Sequence, residues 1–434
     1  MNDPVDLLAR LPGRFPHVKR WLIAYSGGLD SQVLLAAAAE ALPQTQLLAV
    51  HVHHGLQLAA DDWALSCQRH ASALNIDFQL CRVAPQSGSE AAARDARYQA
   101  FVDLMQPGDV LLMAHHANDQ AETLLYRLIR GAGVAGLSAM PVERPLGQGQ
   151  LIRPFLSLTR NDLENWARQR ELDWVDDPSN AHQQYARNYL RHRVMPVITQ
   201  RWPGAVTQFV DTAGYMAEAR ELLEELAEQD AASCLEAPEV LQLPVLTQLS
   251  LARQNNLLRY WLHSHRLVLG AEPLRQLRRQ FLQGKANPER LLQLQPDLQL
   301  RTYRERLFLW RPSLQSASLI AGPLTLQPGA RITLAGGVLQ VEGSTSADSC
   351  TLQLKYRQGG ERLHPANRGV GVSLSQLFQE VGVPPWLRDS WPLLCDDSGI
   401  LVVPGICEDQ RWVNKSNLSC LWQPFGLSGE PFFC

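Results

Sequence analysis

A short apolar run followed by a glycine-containing loop constrains the fold of this chain more than any other feature. Residues 21–25 predict a buried strand, and the Ala- and Leu-rich residues 32–40 predict a helix that packs back onto the sheet. The loop between them is Ser26-Gly27-Gly28-Leu29-Asp30-Ser31. Its glycines permit a close approach of the backbone to a ligand, and loop N–H groups at a helix N-terminus attract anions. We therefore predict a phosphate site, with hydroxyl donors on Ser26 and Ser31 and a divalent cation held by Asp30.

This loop differs from a Walker loop, which requires Gly-x-x-x-x-Gly-Lys-Ser/Thr. The nearest Gly-Lys pair, Gly284-Lys285, is followed by Ala286. The pattern Ser-Gly-Gly-x-Asp-Ser instead resembles the pyrophosphate loop (PP-loop) of the N-type ATP pyrophosphatases. Those enzymes cleave ATP between the α and β phosphates and adenylate an oxygen of their substrate. A tight strand–helix turn with a capping Asp or Ser is the structural alternative, but six matching positions after an apolar strand favour a functional loop.

Length and composition place the chain among globular proteins of two or three domains. It has 434 residues, of which 45% are hydrophobic and 19% charged, and its net charge is −3. No apolar run reaches transmembrane length, and the N-terminus lacks the form of a signal peptide. Eight cysteines occur without a C-x-x-C pair, so neither a disulfide framework nor a zinc ribbon is indicated. We expect a cytoplasmic protein that does not associate with membranes.

Strands and helices alternate through the first 130 residues, which predicts a parallel, doubly wound α/β sheet. Ligands of such sheets bind at the carboxyl ends of the strands. The phosphate loop, the turn at 51–55 and the turn at 115–122 all follow predicted strands. We therefore expect these three turns to converge on one cleft.

The turn His51-Val52-His53-His54-Gly55 is dense in histidine and has two interpretations. One is a metal-dependent phosphohydrolase with the ligands His51, His53, His115 and Asp119. That centre would need carboxylate or Cys ligands interleaved with the histidines, and the first carboxylate after them is Asp61. The other is a strand end that lines a nucleotide pocket and places His53 near ATP. We prefer the second interpretation and expect no tightly bound structural metal.

The turn that begins at His115 precedes a helix with an apolar face. His115, Asp119 and Glu122 are spaced i, i+4 and i+7, so they can share one side of the helix start. The two carboxylates there can bind an ammonium group or Mg²⁺. An Asp-x-x-Glu sequence ahead of an apolar run is equally typical of a helix cap, so Asp119 as ligand and Asp119 as cap both remain open.

A predicted helix upstream places Glu90, Arg94 and Arg97 within one face at i, i+4 and i+7. A solvated Glu–Arg ladder on that face would contribute a few tenths of a kcal/mol, on the order of 0.2–0.5 per pair. A basic face turned into the cleft would instead contact phosphate.

These motifs occur in the order seen in the tRNA(Ile)-lysidine synthases, and the resemblance extends past residue 400. The phosphate loop is shared across a superfamily, whereas the block at 115–123 and the block at 176–180 are much more specific. The matching residues are His53-His54-Gly55-Leu56, Glu90…Arg94…Arg97-Tyr98, His115-His116…Asp119-Gln120…Glu122-Thr123, Arg130-Gly131-Ala132-Gly133…Gly136-Leu137, Arg153-Pro154, Asp176-Asp177-Pro178-Ser179-Asn180, Arg187-Asn188…Arg191 and Pro196.

The resemblance implies that the chain converts the wobble cytidine of the CAU-anticodon isoleucine tRNA into lysidine, with ATP, Mg²⁺ and free L-lysine. It implies that Asp119 and Glu122 hold lysine and that His115 lies within reach for proton transfer. It also implies that Arg187 or Arg191 contacts the α-phosphate or the flipped-out base.

Three other functions remain to be compared with this one. A tRNA thiolase on the same loop would need a persulfide Cys or a pair of C-x-x-C motifs, and neither is evident. The metal-dependent phosphohydrolase would carry stoichiometric metal. A non-catalytic tRNA-binding protein would lack ATP–pyrophosphate exchange.

After the α/β segment, the chain contains an acidic segment followed by a basic one. Residues 215–239 are acidic, whereas residues 251–311 carry 12 Arg/Lys against four Asp/Glu, with interleaved Tyr and Trp. Arginines with aromatic rings are typical of a nucleic-acid surface, and a solvated basic helix bundle is the alternative. We predict an adenylation domain at 1–210, a helical tRNA-binding domain at 211–315, a linker at 316–349 and a C-terminal tRNA-binding α+β domain at 350–434. The tRNA contacts predicted beyond the first domain are Arg275, Arg278, Arg279, Arg362 and Arg368.

The last domain departs from the family in one respect. The family often has basic residues around Ser373-Leu374-Ser375-Gln376, and this chain has none. The contribution of that segment to phosphate binding is therefore reduced. A monomer and a homodimer both remain open.

Overall fold

The structure is a computed structural model that describes residues 3–43, 46–55, 60–85, 87, 89–175, 186–283, 290–315, 319–343, 349–368, 370–414 and 416–426. The chain divides into two compact units, residues 1–222 and residues 223–434. Within the described ranges, no helix has the length and apolar character needed to cross a membrane.

The first unit alternates strands with helices, as the sequence predicts. Its elements are α1 (Pro4–Ala9), α2 (Leu11–Arg14), β1 (Arg20–Ala24), α3 (Leu29–Ala41), β2 (Leu47–His53), α4 (Ala60–Ala73), β3 (Asp77–Arg82), α5 (Glu90–Leu104), β4 (Asp109–Leu112), α6 (Ala117–Ile129), α7 (Val134–Leu137), β5 (Glu143–Leu146), β6 (Gly149–Ile152), α8 (Arg160–Gln169), α9 (Ala186–Tyr189), a π-helix (Leu190–Val194), α10 (Met195–Arg201) and α11 (Ala205–Cys234), which continues into the second unit.

In the described part of this unit, six strands form one sheet in the order β3-β2-β1-β4-β6-β5. The pairs β1–β2, β2–β3, β1–β4 and β4–β6 are parallel, which confirms the predicted doubly wound α/β class. The edge strand β5 is antiparallel to β6, because a short turn joins the two strands and leaves no room for a crossover. The sheet is therefore mixed. The order of the strands reverses between β1 and β4, and such sheets bind ligands at that point.

Both faces of the central strand β1 are buried. Trp21 and Ile23 belong to the core that includes helix α3, whereas Leu22 belongs to a separate core with Phe101 of α5 and Leu111 of β4. Alternate residues of a strand point to opposite faces, so a continuous apolar strand requires helices on both sides of the sheet. This burial fixes the end of β1, and with it the phosphate loop, at the centre of the domain.

The second unit contains mainly antiparallel strands. Its elements are β7 (Leu235–Ala237), β8 (Val240–Gln242), α12 (Leu243–Gln248), α13 (Leu251–Ser264), α14 (Ala271–Phe281), β9 (Leu291–Gln295), β10 (Leu298–Tyr303), β11 (Arg306–Trp310), a 3-10 helix (Pro312–Gln315), β12 (Gly322–Leu326), β13 (Arg331–Leu334), β14 (Gly337–Glu342), β15 (Cys350–Lys355), β16 (Arg362–Leu363), β17 (Val372–Ser373), α15 (Leu374–Val381), α16 (Pro385–Arg388), β18 (Leu393–Asp396), β19 (Gly399–Val403), β20 (Cys407–Glu408), α17 (Gln410–Val413) and β21 (Ser419–Pro424).

The segment predicted as a helical domain contains a sheet that the prediction did not include. Helices α13 and α14 are present, but the described strands β7, β8, β11, β10 and β9 form a five-stranded antiparallel sheet beside them. Along β10, residues alternate between buried and half-buried positions. This period of two is a strand signal, and the high arginine content of the segment obscures it in the sequence.

The segment predicted as a linker contains strands that pair with strands beyond residue 349. Strand β12 pairs with β15, and β14 pairs with β21. Leu326, Leu339 and Val341 are buried in the same core as Leu352 and Trp422. The strand-like pattern of 316–349 therefore reflects sheet residues whose partners come from beyond residue 349, which is why the sequence alone suggested a connection.

Candidate active site

The phosphate loop joins β1 to α3 and depends on a glycine at its second position. Gly27 has φ of +84°, which L side chains rarely adopt, and a Cβ on it would lie 2.7 Å from the Sγ of Cys67. The helix N-cap is Gly28, which provides no side-chain cap. The first N–H groups of α3 therefore remain available to an anion, as the sequence predicts for a phosphate site.

Two serines hold the loop in shape. The backbone N–H of Ser26 donates to the Oγ of Ser31 at 3.2 Å, and that hydroxyl in turn donates to the carbonyl of Gly28 at 2.9 Å. Ser31 is buried, whereas Ser26 is exposed at the cleft. Ser31 therefore stabilises the loop conformation through its hydrogen bonds to the backbone. The sequence predicted it only as a hydroxyl donor to phosphate.

One cavity of about 500 Å³ lies at the carboxyl ends of the central strands. It is lined by the phosphate loop, by the turn at 51–55 and by His115 and Asp119, so the three predicted turns meet there. Arg97, Arg160 and Arg191 add positive charge to its wall. The cavity combines a backbone anion cradle with cationic side chains, which suits a polyphosphate.

Asp30 faces this cavity and keeps one oxygen without a partner. Its Oδ1 is buried and forms no hydrogen bond among the described residues, while its Oδ2 lies 3.6 Å from the Nε2 of His116. A buried carboxylate oxygen that lacks a donor is costly unless a cation or a donor reaches it. The geometry therefore fits the predicted divalent cation, because Mg²⁺ commonly uses one or two carboxylates together with substrate phosphates.

His116 was not among the predicted site residues, yet it connects two of them. Its ring accepts from the backbone N–H of Asp119 at 3.4 Å, while its Nε2 lies 3.5 Å from the Oδ2 of that aspartate and faces Asp30. Burial lowers the pKa of His116, but the nearby carboxylates outweigh burial and the net shift is upward. The spacing His-x-x-Asp at a helix start is the signal that would have identified it.

Asp119 caps helix α6 and also pairs with two arginines, whereas its role as a ligand for an ammonium group or Mg²⁺ stays a prediction. The N-cap is His116, and Asp119 is the third helical residue of a capping box, its Oδ2 accepting from the backbone N–H of His116 at 3.1 Å. Its Oδ1 accepts from Arg187 at 3.0 Å and from Arg191 at 2.6 Å. Burial opposes ionisation of this carboxyl, but the cations of His116 and Arg187 outweigh it and lower its pKa well below the usual range.

Glu122 lies one helical turn further on and binds the same two arginines. Its Oε1 accepts from the Nε of Arg191 at 2.7 Å, and its Oε2 accepts from Arg191 at 3.0 Å and from Arg187 at 3.3 Å. The glutamate is 2% exposed. Arg187 and Arg191 are spaced i, i+4 across α9 and the π-helix, which brings both guanidinium groups to the i, i+3 carboxylates of α6.

His115 is half-buried beside this cluster and is neutral at physiological pH. Burial is the main cause that lowers its pKa to about 3, and Arg153 and Arg187 act in the same direction against Asp119. Its Nδ1 is buried and has no hydrogen-bond partner among the described residues. A neutral imidazole with an open nitrogen can accept a proton, although its low pKa makes it a weak base while the arginines stay close.

We expect His115→Asn to flatten the pH dependence of stability. The folded-state pKa of His115 is below the unfolded value of about 6.5, so the unfolded chain binds the extra proton between these values. The contribution of the neutral ring to the free energy of unfolding is therefore fully present above pH 6.5 and is lost as the pH falls towards 3. The free energy of unfolding decreases by no more than about 1.4 kcal/mol per pH unit in this range. Denaturant unfolding at pH 7, 5.5 and 4.5 measures the loss, which should be smaller in the variant.

His17→Asn, a change at an exposed histidine, is the control for this measurement and should follow the wild type. A His115→Asn variant with the wild-type pH profile would show that His115 is not buried as a neutral ring.

His51 and His53, in the turn at 51–55, contact neighbouring protein groups and do not converge on a common point as metal ligands would. The Nδ1 of His51 lies 2.9 Å from the carbonyl of Tyr25, and burial lowers the pKa of this histidine. His53 accepts from the N–H of Gly55 at 3.2 Å, and its Nε2 lies 3.4 Å from Asp61. Within the part of the chain that the structure describes, no three His, Cys, Asp or Glu side chains group as metal ligands. The phosphohydrolase interpretation therefore finds no support in the geometry.

The predicted tRNA contacts of the second unit differ in exposure. Arg278 is buried with 9% of its surface exposed, because its position on the apolar face of α14 turns it inward, and its contact with tRNA stays a prediction. Arg275 and Arg279 are exposed, and both pair with Glu272. Arg362 donates to the carbonyl of Gly371, and Arg368 pairs with Glu380 at 2.7 Å.

Parts of the sequence motifs fall outside the described residues. The block Asp176-Asp177-Pro178-Ser179-Asn180 lies in the undescribed range, as does Leu56, and the structure does not describe the side chain of Glu90.

Three family models match the chain. The PP-loop domain matches residues 7–198, the TilS substrate binding domain matches 241–308, and the TilS substrate C-terminal domain matches 352–422. A tRNA(Ile)-lysidine synthase of Pseudomonas aeruginosa is 43% identical over 411 residues, which cover 89% of this chain and 89% of the relative. One from Pseudomonas syringae pv. tomato is 40% identical over 418 residues, which cover 90% and 91%.

Among solved structures, the U34-tRNA thiolase NcsA from Methanococcus maripaludis, with its 4Fe-4S cluster, has a TM-score of 0.41 at 15% identity. The match covers 50% of this chain and 78% of that chain. The curated relatives, in contrast, match both units of the chain over nearly their full length.

Proposed function

The chain belongs to the tRNA(Ile)-lysidine synthase family, and from that premise we propose that it ligates lysine to C2 of the wobble cytidine of the CAU-anticodon isoleucine tRNA, with ATP as the second substrate. The reaction gives lysidine, AMP and pyrophosphate. The observation that supports this most directly is the cavity that the phosphate loop lines together with Asp119 and Arg191. Arg191 also binds Glu122, so both carboxylates lie beside this cavity wall.

The chemistry requires two sites close together. The C2 oxygen of cytosine is a poor leaving group, so it first attacks the α-phosphate of ATP and pyrophosphate leaves. The lysine amine then forms the C2–N bond, and the C2–O bond breaks with AMP as the leaving group. A site for the developing pyrophosphate charge and a site for the amine must therefore face the same base.

We assign pyrophosphate binding to the phosphate loop, residues 26–31. Its Gly28 amide and the open N-terminus of α3 stabilise negative charge, and His53 lines the adjoining wall. Asp30 would hold Mg²⁺, because its buried Oδ1 lacks a donor in the described structure. Mg²⁺ bound there neutralises charge on the leaving pyrophosphate.

We assign lysine binding to Asp119 and Glu122. Both carboxylates are buried, and Asp119 is held ionised by its cationic neighbours, so both can bind an ammonium group. A free lysine amine has a pKa of about 10.4, so a proton must leave before the nucleophile attacks. His115, with its open Nδ1, lies at the same turn and is placed to receive it.

A cluster of arginines around Tyr98 supports a tRNA contact in the first unit. Arg94 and Arg144 lie over the Tyr98 ring at 5.5 and 5.2 Å from its centroid, and Arg153 donates to its hydroxyl at 3.4 Å. In the described structure these arginines contact the phenol and backbone oxygens rather than carboxylates. We propose that Arg94, with Arg97 at the cavity wall, meets the phosphates of the anticodon arm.

We further propose that the adenylation domain spans residues 1–210 and that the basic segment and the C-terminal domain add tRNA contacts. The protein is proposed to act in the cytoplasm, as a monomer or as a homodimer.

Incubation with ATP, radiolabelled lysine and total tRNA tests the proposed function. We expect label in the CAU-anticodon isoleucine tRNA, together with release of AMP and pyrophosphate. Label-free tRNA with active ATP–pyrophosphate exchange would point instead to another modification on the same loop. Absence of both reactions would support the non-catalytic tRNA-binding alternative.

Replacing Arg275 and Arg279 together with Ala is expected to weaken tRNA binding and flatten its salt dependence. Both side chains are exposed on α14, and removal of one arginine–phosphate interaction lowers the slope of log K against log salt by about 0.7–0.9. ATP binding should be unchanged, because the phosphate loop lies in the other unit. The measurement is tRNA affinity between about 50 and 200 mM salt.

Two further variants control this result. Arg168→Ala removes an equally exposed arginine that pairs with Glu164 in α8, and it should keep the wild-type slope. Arg362→Ala with Arg368→Ala should change the slope less than the α14 pair, since the nearby helix α15 lacks basic residues. A full wild-type slope in the α14 variant would show that this face is solvated rather than bound to RNA.

A further inference from the structure

The two carboxylates assigned to lysine are already engaged in this structure. Arg187 and Arg191 donate five hydrogen bonds to Asp119 and Glu122, at 2.6 to 3.3 Å. The Asp119 and Glu122 side chains are 10% and 3% exposed, beneath guanidinium groups that are 28% and 25% exposed. The arginines therefore cover the anionic site that an amine substrate must reach.

Charge makes simultaneous occupancy unfavourable. Arg187, Arg191 and a protonated His116 together balance the three carboxylates of Asp119, Glu122 and Asp30. A lysine ammonium beside Asp119 would add a cation to a balanced, buried cluster where like charges repel strongly. The amine can bind favourably only when an arginine leaves or a further anion arrives.

One of these arginines, Arg191, has an alternative partner within the cavity. Arg191 lines the wall that also contains Ser26, Gly28 and Asp30 of the phosphate loop. A guanidinium group binds phosphate bidentately about as readily as it binds carboxylate. A triphosphate in the loop would thus compete for Arg191, and for Arg187 next to it, with the full charge of its phosphates.

The backbone that carries the arginines is irregular at this point. Arg187 lies in α9, and Arg191 lies in the π-helix that follows it directly and ends before Pro196 of α10. Proline removes a donor and clashes with the preceding turn, so the regular hydrogen-bond ladder is interrupted there. Single π turns occur frequently at functional sites.

We propose that Arg187 and Arg191 form an exchangeable counter-ion pair that makes lysine binding conditional on bound nucleotide. In the ligand-free enzyme the two arginines bind Asp119 and Glu122 and block access of the amine to these carboxylates. When a triphosphate occupies the phosphate loop, the guanidinium groups move to its oxygens and both carboxylates become available to the amine. ATP therefore binds before lysine. This inference rests on the proposed function, because it takes lysine and ATP as the substrates.

The exchange predicts a reciprocal coupling between two ligands. The nucleotide raises lysine affinity by some factor, and lysine raises nucleotide affinity by the same factor. Couplings of this kind are typically about 5–150-fold. A site with permanently fixed arginines would show no coupling, since the carboxylates would be equally covered in both states.

Equilibrium dialysis of radiolabelled lysine against the full chain tests the exchange, with and without the non-hydrolysable analogue α,β-methylene-ATP and Mg²⁺. We expect lysine affinity to rise at least about fivefold with the analogue, and analogue affinity to rise equally with saturating lysine. Absence of coupling in both directions would overturn the proposal.

Arg187→Gln provides a second reading. The variant removes one guanidinium group that blocks the carboxylates and keeps a polar side chain. Lysine should therefore bind more tightly without nucleotide, and the increase in lysine affinity caused by the analogue should be smaller. If the variant instead loses lysine binding equally in both states, the arginines only maintain the structure of the site and the exchange is wrong. Arg168→Gln, remote in α8, should behave as the wild type, and thermal unfolding shows that each variant folds.

The tRNA-labelling reaction separates this inference from the proposed function. Wild-type enzyme that forms lysidine but shows no coupling refutes the exchange alone. Enzyme that forms no lysidine refutes the proposed function, whatever the coupling.

Discussion

Replacing Asp30 with Ala is expected to slow pyrophosphate release by about 10²–10³-fold, because one contact that stabilises developing charge is worth about 2.7–4 kcal/mol. The carboxylate has a buried Oδ1 without a donor among the described residues, at the end of the loop that we assign to pyrophosphate. Its loss removes the proposed Mg²⁺ ligand and leaves the loop backbone in place. Tight binding of tRNA should therefore persist. The measurement is pyrophosphate release under single turnover, with tRNA affinity determined in parallel.

Asp30 also lies 3.6 Å from the Nε2 of His116, so Asp30→Ala removes one of the carboxylates that raise the pKa of that histidine. Asp30→Asn separates the two effects, since the amide keeps a hydrogen-bonding oxygen near His116 but loses the negative charge. Both variants should be slow. Asp62→Ala, an exposed carboxylate on α4, is the matched control and should turn over normally. Full turnover by Asp30→Ala would remove this residue from the catalytic machinery.

Asp119→Asn is expected to raise the KM for lysine by about 10- to 100-fold. It should also lower the melting temperature, because Arg187 and Arg191 lose one of the two carboxylates that they bind. A hydrogen bond to a charged group is worth about 1.5–3 kcal/mol, and every 1.4 kcal/mol is tenfold in affinity. The asparagine oxygen can still accept from the backbone N–H of His116, so the capping box of α6 survives. The charge that faces the amine is lost. Steady-state kinetics with varied lysine, at saturating ATP and tRNA, measures the change.

The chain contains a matched control for the capping role. Asp162 holds the third position of the capping box of α8, where its Oδ2 accepts from the backbone N–H of Thr159 at 2.8 Å. Asp162→Asn should therefore report the effect of the cap alone on stability, without any change in the lysine KM. A wild-type lysine KM in Asp119→Asn would mean that this aspartate serves only the helix cap and the arginine pair.

The first 130 residues show how far local sequence signals reach. The apolar strand, the Ser-Gly-Gly-x-Asp-Ser loop and the helix after it are contiguous, so their order alone predicted the phosphate loop and the α/β class. The alternation of strands and helices placed the three turns at the same edge of the sheet. Connections of this length and handedness leave few other arrangements.

Prediction was less complete where the partner of a segment lies far along the chain. Strands β12 and β14 pair with β15 and β21, and their character as sheet strands rather than linker depends on those partners. The sheet of the second unit was missed for a different reason, because the arginines of that segment obscure its alternating pattern. Arg278 was expected on the surface because its neighbours are basic, and only packing against the apolar side of α14 turned it inward.

The sequence by itself determined the phosphate loop, the α/β class and the set of residues from which the site is built, because these depend on short-range patterns and on residue chemistry. Only the tertiary structure decided how that set is paired. Arg187 and Glu122 are 65 residues apart, Arg191 and Asp119 are 72 apart, and His116 meets Asp30 from another strand end. Residue types and spacing place arginines and carboxylates in one domain, but buried charges choose partners by distance and desolvation, which only the folded chain sets.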